Sequence, residues 1–117
     1  MLVWLFALAC TAGTPSLTIL APVEDAVVCG SPLVIALDIT DFTLEAPGGD
    51  VRPGVGHCDL SLNGQDVAMT AEPTVEVDDV ADGLYQITAA LVNADHTALD
   101  PYAGDTVYAT VSAAACP

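Results

Sequence analysis

From Leu17 onward, apolar and polar residues change places over short runs broken by turn residues. Seven runs read as strands: Ser16–Leu20, Pro32–Thr40, His57–Asn63, Gln65–Thr70, Thr74–Val80, Leu84–Val92 and Asp105–Ala114. Leu60 and Leu62 alternate with Asp59, Ser61 and Asn63, and Val75 and Val77 alternate with Glu76 and Asp78. That period of two predicts strands with one buried face. Val67 and Met69 share a face of the fourth run. The second run, PLVIALDIT, is almost continuously apolar at first and predicts a central strand buried on both faces for part of its length. Asn63-Gly64 predicts a two-residue hairpin, because both positions tolerate left-handed backbone. The longest stretch without a strand pattern, Leu44–Gly56, holds Pro47-Gly48-Gly49-Asp50 and Pro53-Gly54 and reads as a loop. No segment carries a helical period, so the pattern predicts an all-β antiparallel sandwich.

One local motif narrows this. The run Val80-Ala81-Asp82-Gly83-Leu84-Tyr85 resembles the tyrosine corner of immunoglobulin-like and fibronectin-type domains. There, a Tyr opening the penultimate strand bonds back to upstream backbone. The resemblance implies a single seven-stranded Ig-like antiparallel β-sandwich over residues 17–117. It also bears on the four cysteines, Cys10, Cys29, Cys58 and Cys116. In an Ig-like strand order, the start of the second strand and the end of the last fall at one end of the sandwich. Cys29 precedes the one and Cys116 follows the other, which implies a Cys29–Cys116 disulfide, with Cys29–Cys58 as the alternative. Cys58 is then left over at the opposite end, as a buried, inert thiol.

The N-terminus has a different character. Residues 1–9, MLVWLFALA, form an unbroken apolar run, too short to span a bilayer as a helix but of the length of a signal-peptide core. Ala7-Leu8-Ala9-Cys10 resembles a bacterial lipobox, with Ala7 where that family usually has Leu and no basic residue ahead of the run. The resemblance implies that Cys10 carries the lipid and that residues 10–16 act as a tether. The expected location is extracytoplasmic, in the cell envelope, anchored by lipid to the outer membrane or cell surface. A cleaved secretory protein and a retained N-terminal anchor are the alternatives.

Charge removes whole classes of function. Sixteen Asp and Glu face a single basic side chain, Arg52, for a net charge of −15. A polyanion of this strength repels nucleic acid and anionic lipid head groups. The carboxylates read mainly as a solvated surface; Asp78, Asp79 and Asp82 do not match a known calcium-loop spacing. The chain has no G-x-S-x-G, no H-E-x-x-H and no phosphate loop, and no catalytic residues are assigned.

One constellation carries chemistry. His57 opens the third strand and His96 follows the sixth, within Asn93-Ala94-Asp95-His96. An Ig-like order brings these two loop regions to one end of the sandwich. Gly54-Val55-Gly56-His57-Cys58-Asp59 resembles a G-x-G-H-x-H pattern of exported bacterial β-sandwich domains, with Asp59 at the second His; those domains often carry a later Asp-His, like Asp95-His96. His57 and Asp59, two apart on a strand, share a face that Cys58 does not. The expected function is therefore non-enzymatic: an exported, lipid-anchored Ig-like module that binds a protein partner or serves envelope structure, with no cofactor. The alternative is a Zn or Cu site built from His57, Asp59 and His96. Against it stands a purely structural role, with both rings bonded to loop backbone.

Overall fold

Alternation places Leu17 and Ile19 on one side of the run Ser16–Leu20 and Leu33, Ile35 and Leu37 on one side of the run Pro32–Thr40, where all five are buried together. A computed structural model describes residues 13–117. The expected signal segment 1–9, the lipidated Cys10 and the first residues of the tether lie outside the described residues. No described helix is long and apolar enough to cross a membrane.

Among the described residues, nine strands form two sheets: β1 (Ser16–Ala21), β2 (Ala26–Val28), β3 (Leu33–Thr40), β4 (Thr43–Leu44), β5 (Val55–Leu62), β6 (Gln65–Thr70), β7 (Thr74–Val77), β8 (Gly83–Asn93) and β9 (Gly104–Val111). The smaller sheet has the order β1-β3-β7. The larger runs β2-β9-β8-β5-β4, with β6 also pairing β5. Pairing is antiparallel except for β2 with β9 and β4 with β5. The inner faces meet in a core of Leu, Ile, Val and Ala, among them Leu33, Ile35, Leu60, Ile87, Leu91 and Val111. Small and branched side chains suit such a core because they fill a pleated surface without polar atoms.

All seven expected strands are present. The structure adds the three-residue β2 and the two-residue β4, ends β7 at Val77, and ends β9 at Val111 before a short 3-10 turn at Ala113–Ala115. It also corrects the reading of β3. That strand is central in its sheet, but only one face is covered: Leu33, Ile35 and Leu37 are buried, whereas Val34 is 44% exposed. A three-stranded antiparallel sheet backed by a single partner sheet has one wet side, and an apolar run does not change that.

Two local devices fix the connections. Asn63 and Gly64 both adopt left-handed backbone and close the β5–β6 hairpin. At the other corner, Tyr85 Oη donates to the Ala81 carbonyl at 2.7 Å, as a tyrosine corner should. Tyr85→Phe removes that bond alone and is expected to cost about 1 kcal/mol. Urea unfolding midpoints at unchanged slope measure it; an unchanged midpoint would mean that the corner is held by packing alone.

The Cys29–Cys116 disulfide is formed across 87 residues, with a Cα–Cα distance of 4.6 Å. It staples the end of the chain to the link between β2 and β3. Among the described residues, Cys58 is the free thiol; it is wholly buried, facing the core with Leu60 and Leu62. Burial pushes its pKa up to about 12, so it stays protonated.

Candidate metal centre

His57 and Asp59 alternate with the core-facing Cys58 and Leu60, so they stand on the outer face of the larger sheet. Alternation alone would leave His57 in water, yet its side chain is 0% exposed. The β8–β9 connection covers it. Gly56, just before it, makes the close approach possible: a Cβ there would lie 2.0 Å from the Val92 carbonyl oxygen and 2.9 Å from Phe42 Cζ. Only a glycine lets β8 and Phe42 come this near to the start of β5.

The loop after β8 is built to deliver His96. Asn93 N–H donates to the Thr97 carbonyl and His96 N–H to the Asn93 carbonyl, both at 2.9 Å. Asp95 takes hydrogen bonds from Thr97 N–H and Oγ1 at 3.1 and 2.6 Å. These bonds, with help from His96, hold the Asp95 carboxyl below its ordinary range. His96 itself sits at φ 69°, in the left-handed region. Glycine is the usual occupant of such a position; a histidine there gives up roughly 1–2 kcal/mol of backbone energy.

The three sequence candidates do come together. His57 Nε2 lies 3.1 Å from His96 Nδ1. Asp59 reaches both rings, with Oδ1 at 3.3 Å from His57 Nε2 and Oδ2 at 3.5 Å from His96 Nδ1. The rings meet edge to face, with centroids 4.5 Å apart and planes at 77°. Neither ring nitrogen in this triangle is bonded to loop backbone. Two ligands at 2.0–2.1 Å from a tetrahedral ion stand about 3.3 Å apart; here the two ring nitrogens each meet a different Asp59 oxygen, and with one ligand atom per residue all three lie within 4.8 Å of one another, close enough for one ion to be reached by all three residues.

The electrostatics agree. Desolvation by burial lowers the pKa of His57; Asp59 opposes this and His96 reinforces it. The ring is therefore neutral near pH 7, with a lone pair on offer. Asp59 Oδ1 is buried and, although close to His57, has no aligned hydrogen-bond donor among the described residues. A shielded carboxylate oxygen without a donor is costly, and a cation in the triangle would satisfy it. His57 Nδ1 also lacks a partner. A metal-bound imidazole usually donates through its second nitrogen, and lacking that support lowers affinity by roughly 10–100-fold.

Arg52, the sole basic side chain, is engaged by Glu45 and does not enter the site. His96 is 46% exposed along its side chain and forms the approach. Beside it opens a cavity of about 340 Å³ lined by Asp59, Asp66, Val67, Ala68, Met69 and His96. Among the described residues, His57, Asp59 and His96 are the one group with metal-ligand geometry. Of the acidic cluster, Asp79 and Asp82 serve local structure, accepting from Ser31 Oγ and from Ala113 N–H.

Met69 was not a sequence candidate. In an unbulged hairpin, Leu62 opposite Gln65 would place Ala68 opposite Asp59. A bulge between Leu60 and Ser61 shifts the register by one, and Met69 pairs with Asp59 instead. No signal in the sequence announces that bulge.

Comparison with known proteins bears on the fold. No family model and no curated protein matches the chain. Among solved structures, the fibronectin(III)-like modules of Clostridium thermocellum CbhA are similar, with a TM-score of 0.60 at 15% identity, covering 83% of this chain and 96% of that one. An engineered protein is similar over 87% of this chain, with a TM-score of 0.55 at 14% identity; the match spans 21% of its own length.

Proposed function

We propose that this chain, an immunoglobulin/fibronectin-III-like sandwich with a Cys29–Cys116 disulfide, is an exported, lipid-anchored binding module of the cell envelope whose ligand is a late first-row transition metal ion, Zn²⁺ or Cu²⁺. The carrying observation is the cluster of His57 Nε2 and His96 Nδ1, 3.1 Å apart, with the Asp59 carboxylate against both, Oδ1 at 3.3 Å from the first and Oδ2 at 3.5 Å from the second. Imidazole with carboxylate suits these two ions, and the fourth corner, toward His96 and the cavity, is left to water or another ligand. The disulfide is compatible with an oxidising compartment outside the cytoplasm. A net charge of −15 adds an attractive field for cations.

Thermal unfolding of the full chain in mild detergent tests this. A metal at 100 times its Kd adds about 2.7 kcal/mol. At this size that raises Tm by about 10–20 °C. Asp59→Asn, nearly isosteric, should lose most of the shift, and His57→Ala all of it. A wild-type Tm unmoved by both Zn²⁺ and Cu²⁺ would overturn the proposal and return the three residues to a structural role.

A further inference from the structure

The cavity beside His96 contains a side chain whose chemistry the three-ligand site leaves unused. Met69 is the sole methionine besides Met1, and it lies on β6, an edge strand paired with β5 alone. It is directly cross-strand from Asp59 and lines the same cavity as Asp59 and His96. Cross-strand partners share a sheet face, with Cβ atoms about 4.5–5.5 Å apart. Met69 thus stands on the face that carries the triangle, on its open side. It is 57% exposed, although a methionine gains by burial. The bulge that puts it there shifts the register by one residue; unbulged pairing would set Met69 opposite Cys58 and turn it toward the core. Bulges of this kind commonly re-aim a side chain beside a functional site.

A thioether on a long unbranched chain is soft, uncharged and adaptable. Such ligands select Cu(I), whereas carboxylate favours harder divalent ions. The other soft group nearby, Cys58, is buried and faces the core. Resting on the metal-binding reading above, we infer that Met69 is a fourth ligand, which makes the site one for copper in both oxidation states. Cu(I) is held by His57, His96 and the Met69 thioether; Cu(II) is held by His57, His96 and Asp59. The two states share the imidazoles and exchange the third donor across one strand pair.

The test is competition for Cu(I) against a chromogenic Cu(I) chelator under ascorbate, alongside Cu(II) and Zn(II) titrations of the same full chain. Met69→Leu keeps the volume and removes the sulfur. It is expected to weaken Cu(I) binding by about tenfold or more, with Zn(II) affinity and metal-free Tm unchanged. Asp59→Asn should show the converse, losing Cu(II) affinity and keeping most of that for Cu(I). X-ray absorption of the Cu(I) form should show a sulfur neighbour that is absent in Met69→Leu. Cu(I) affinity within threefold of wild type in Met69→Leu, or no sulfur neighbour, overturns the role of Met69 and leaves the triangle standing. Failure of wild type to bind Cu(I), Cu(II) or Zn(II) overturns the underlying reading as well.

Discussion

Replacing Cys29 and Cys116 together with alanine is expected to lower the unfolding free energy by about 4–5 kcal/mol. The bond closes a loop with a sequence separation of 87, nearly the whole domain. By the chain-entropy argument, a loop of that length removes a large share of the freedom of the unfolded chain. Small domains are stable by about 5–15 kcal/mol in total, so the double variant should lose a large share of its stability. The folded state should otherwise persist. Ser112 N–H still donates to the Val28 carbonyl at 2.9 Å, and β2 still pairs with β9. Urea unfolding of the variant, and of wild type under strong reductant, should give the same lowered midpoint. A loss below about 1 kcal/mol would show that residual structure in the unfolded chain already holds the ends together.

The second large effect concerns His96, and its sign separates a binding role from a structural one. His96→Gly is expected to abolish Zn²⁺ and Cu²⁺ binding at concentrations that saturate wild type, while metal-free stability changes by no more than about 1 kcal/mol. Two contributions oppose each other. Glycine relieves the left-handed backbone at φ 69°, a gain of about 1–2 kcal/mol. It forfeits the edge-to-face contact and the 3.1 Å approach to His57, and it loosens the unfolded chain, together about 1–2 kcal/mol. If His96 serves only to pin the β8–β9 loop over His57, the variant should be destabilised by 2 kcal/mol or more, with wild type indifferent to metal. Paired thermal melts with and without metal read both quantities from one sample set.

Much of this molecule was legible in local pattern. Period-two alternation located seven strands, and Asn63-Gly64 and Asp82-Gly83-Leu84-Tyr85 located a hairpin and a corner. Each of these signals is short-ranged: a pleat repeats every two residues, and a turn type is set by the φ its residues tolerate. Strand order then carried the reasoning further than periodicity could. It placed Cys29 beside Cys116, and it placed His57 and Asp59 near His96 across 39 and 37 residues.

What the pattern could not contain are features defined by a partner. β2 and β4, three and two residues long, exist because β9 and β5 offer parallel edges, and runs so short have no period. The outer side of β3 stays wet because no third layer covers it, although its sequence is apolar. The candidate site divides along the same line. Its residue types, the strand face shared by His57 and Asp59 and the common end of the sandwich follow from the sequence: two imidazoles, one carboxylate and a strand order. The burial of His57, the left-handed seat of His96 and the bulge that sets Met69 opposite Asp59 were decided only by the packed structure. Each depends on how one strand or loop lies against another, and a one-residue shift in register there turns a side chain from the core to the site.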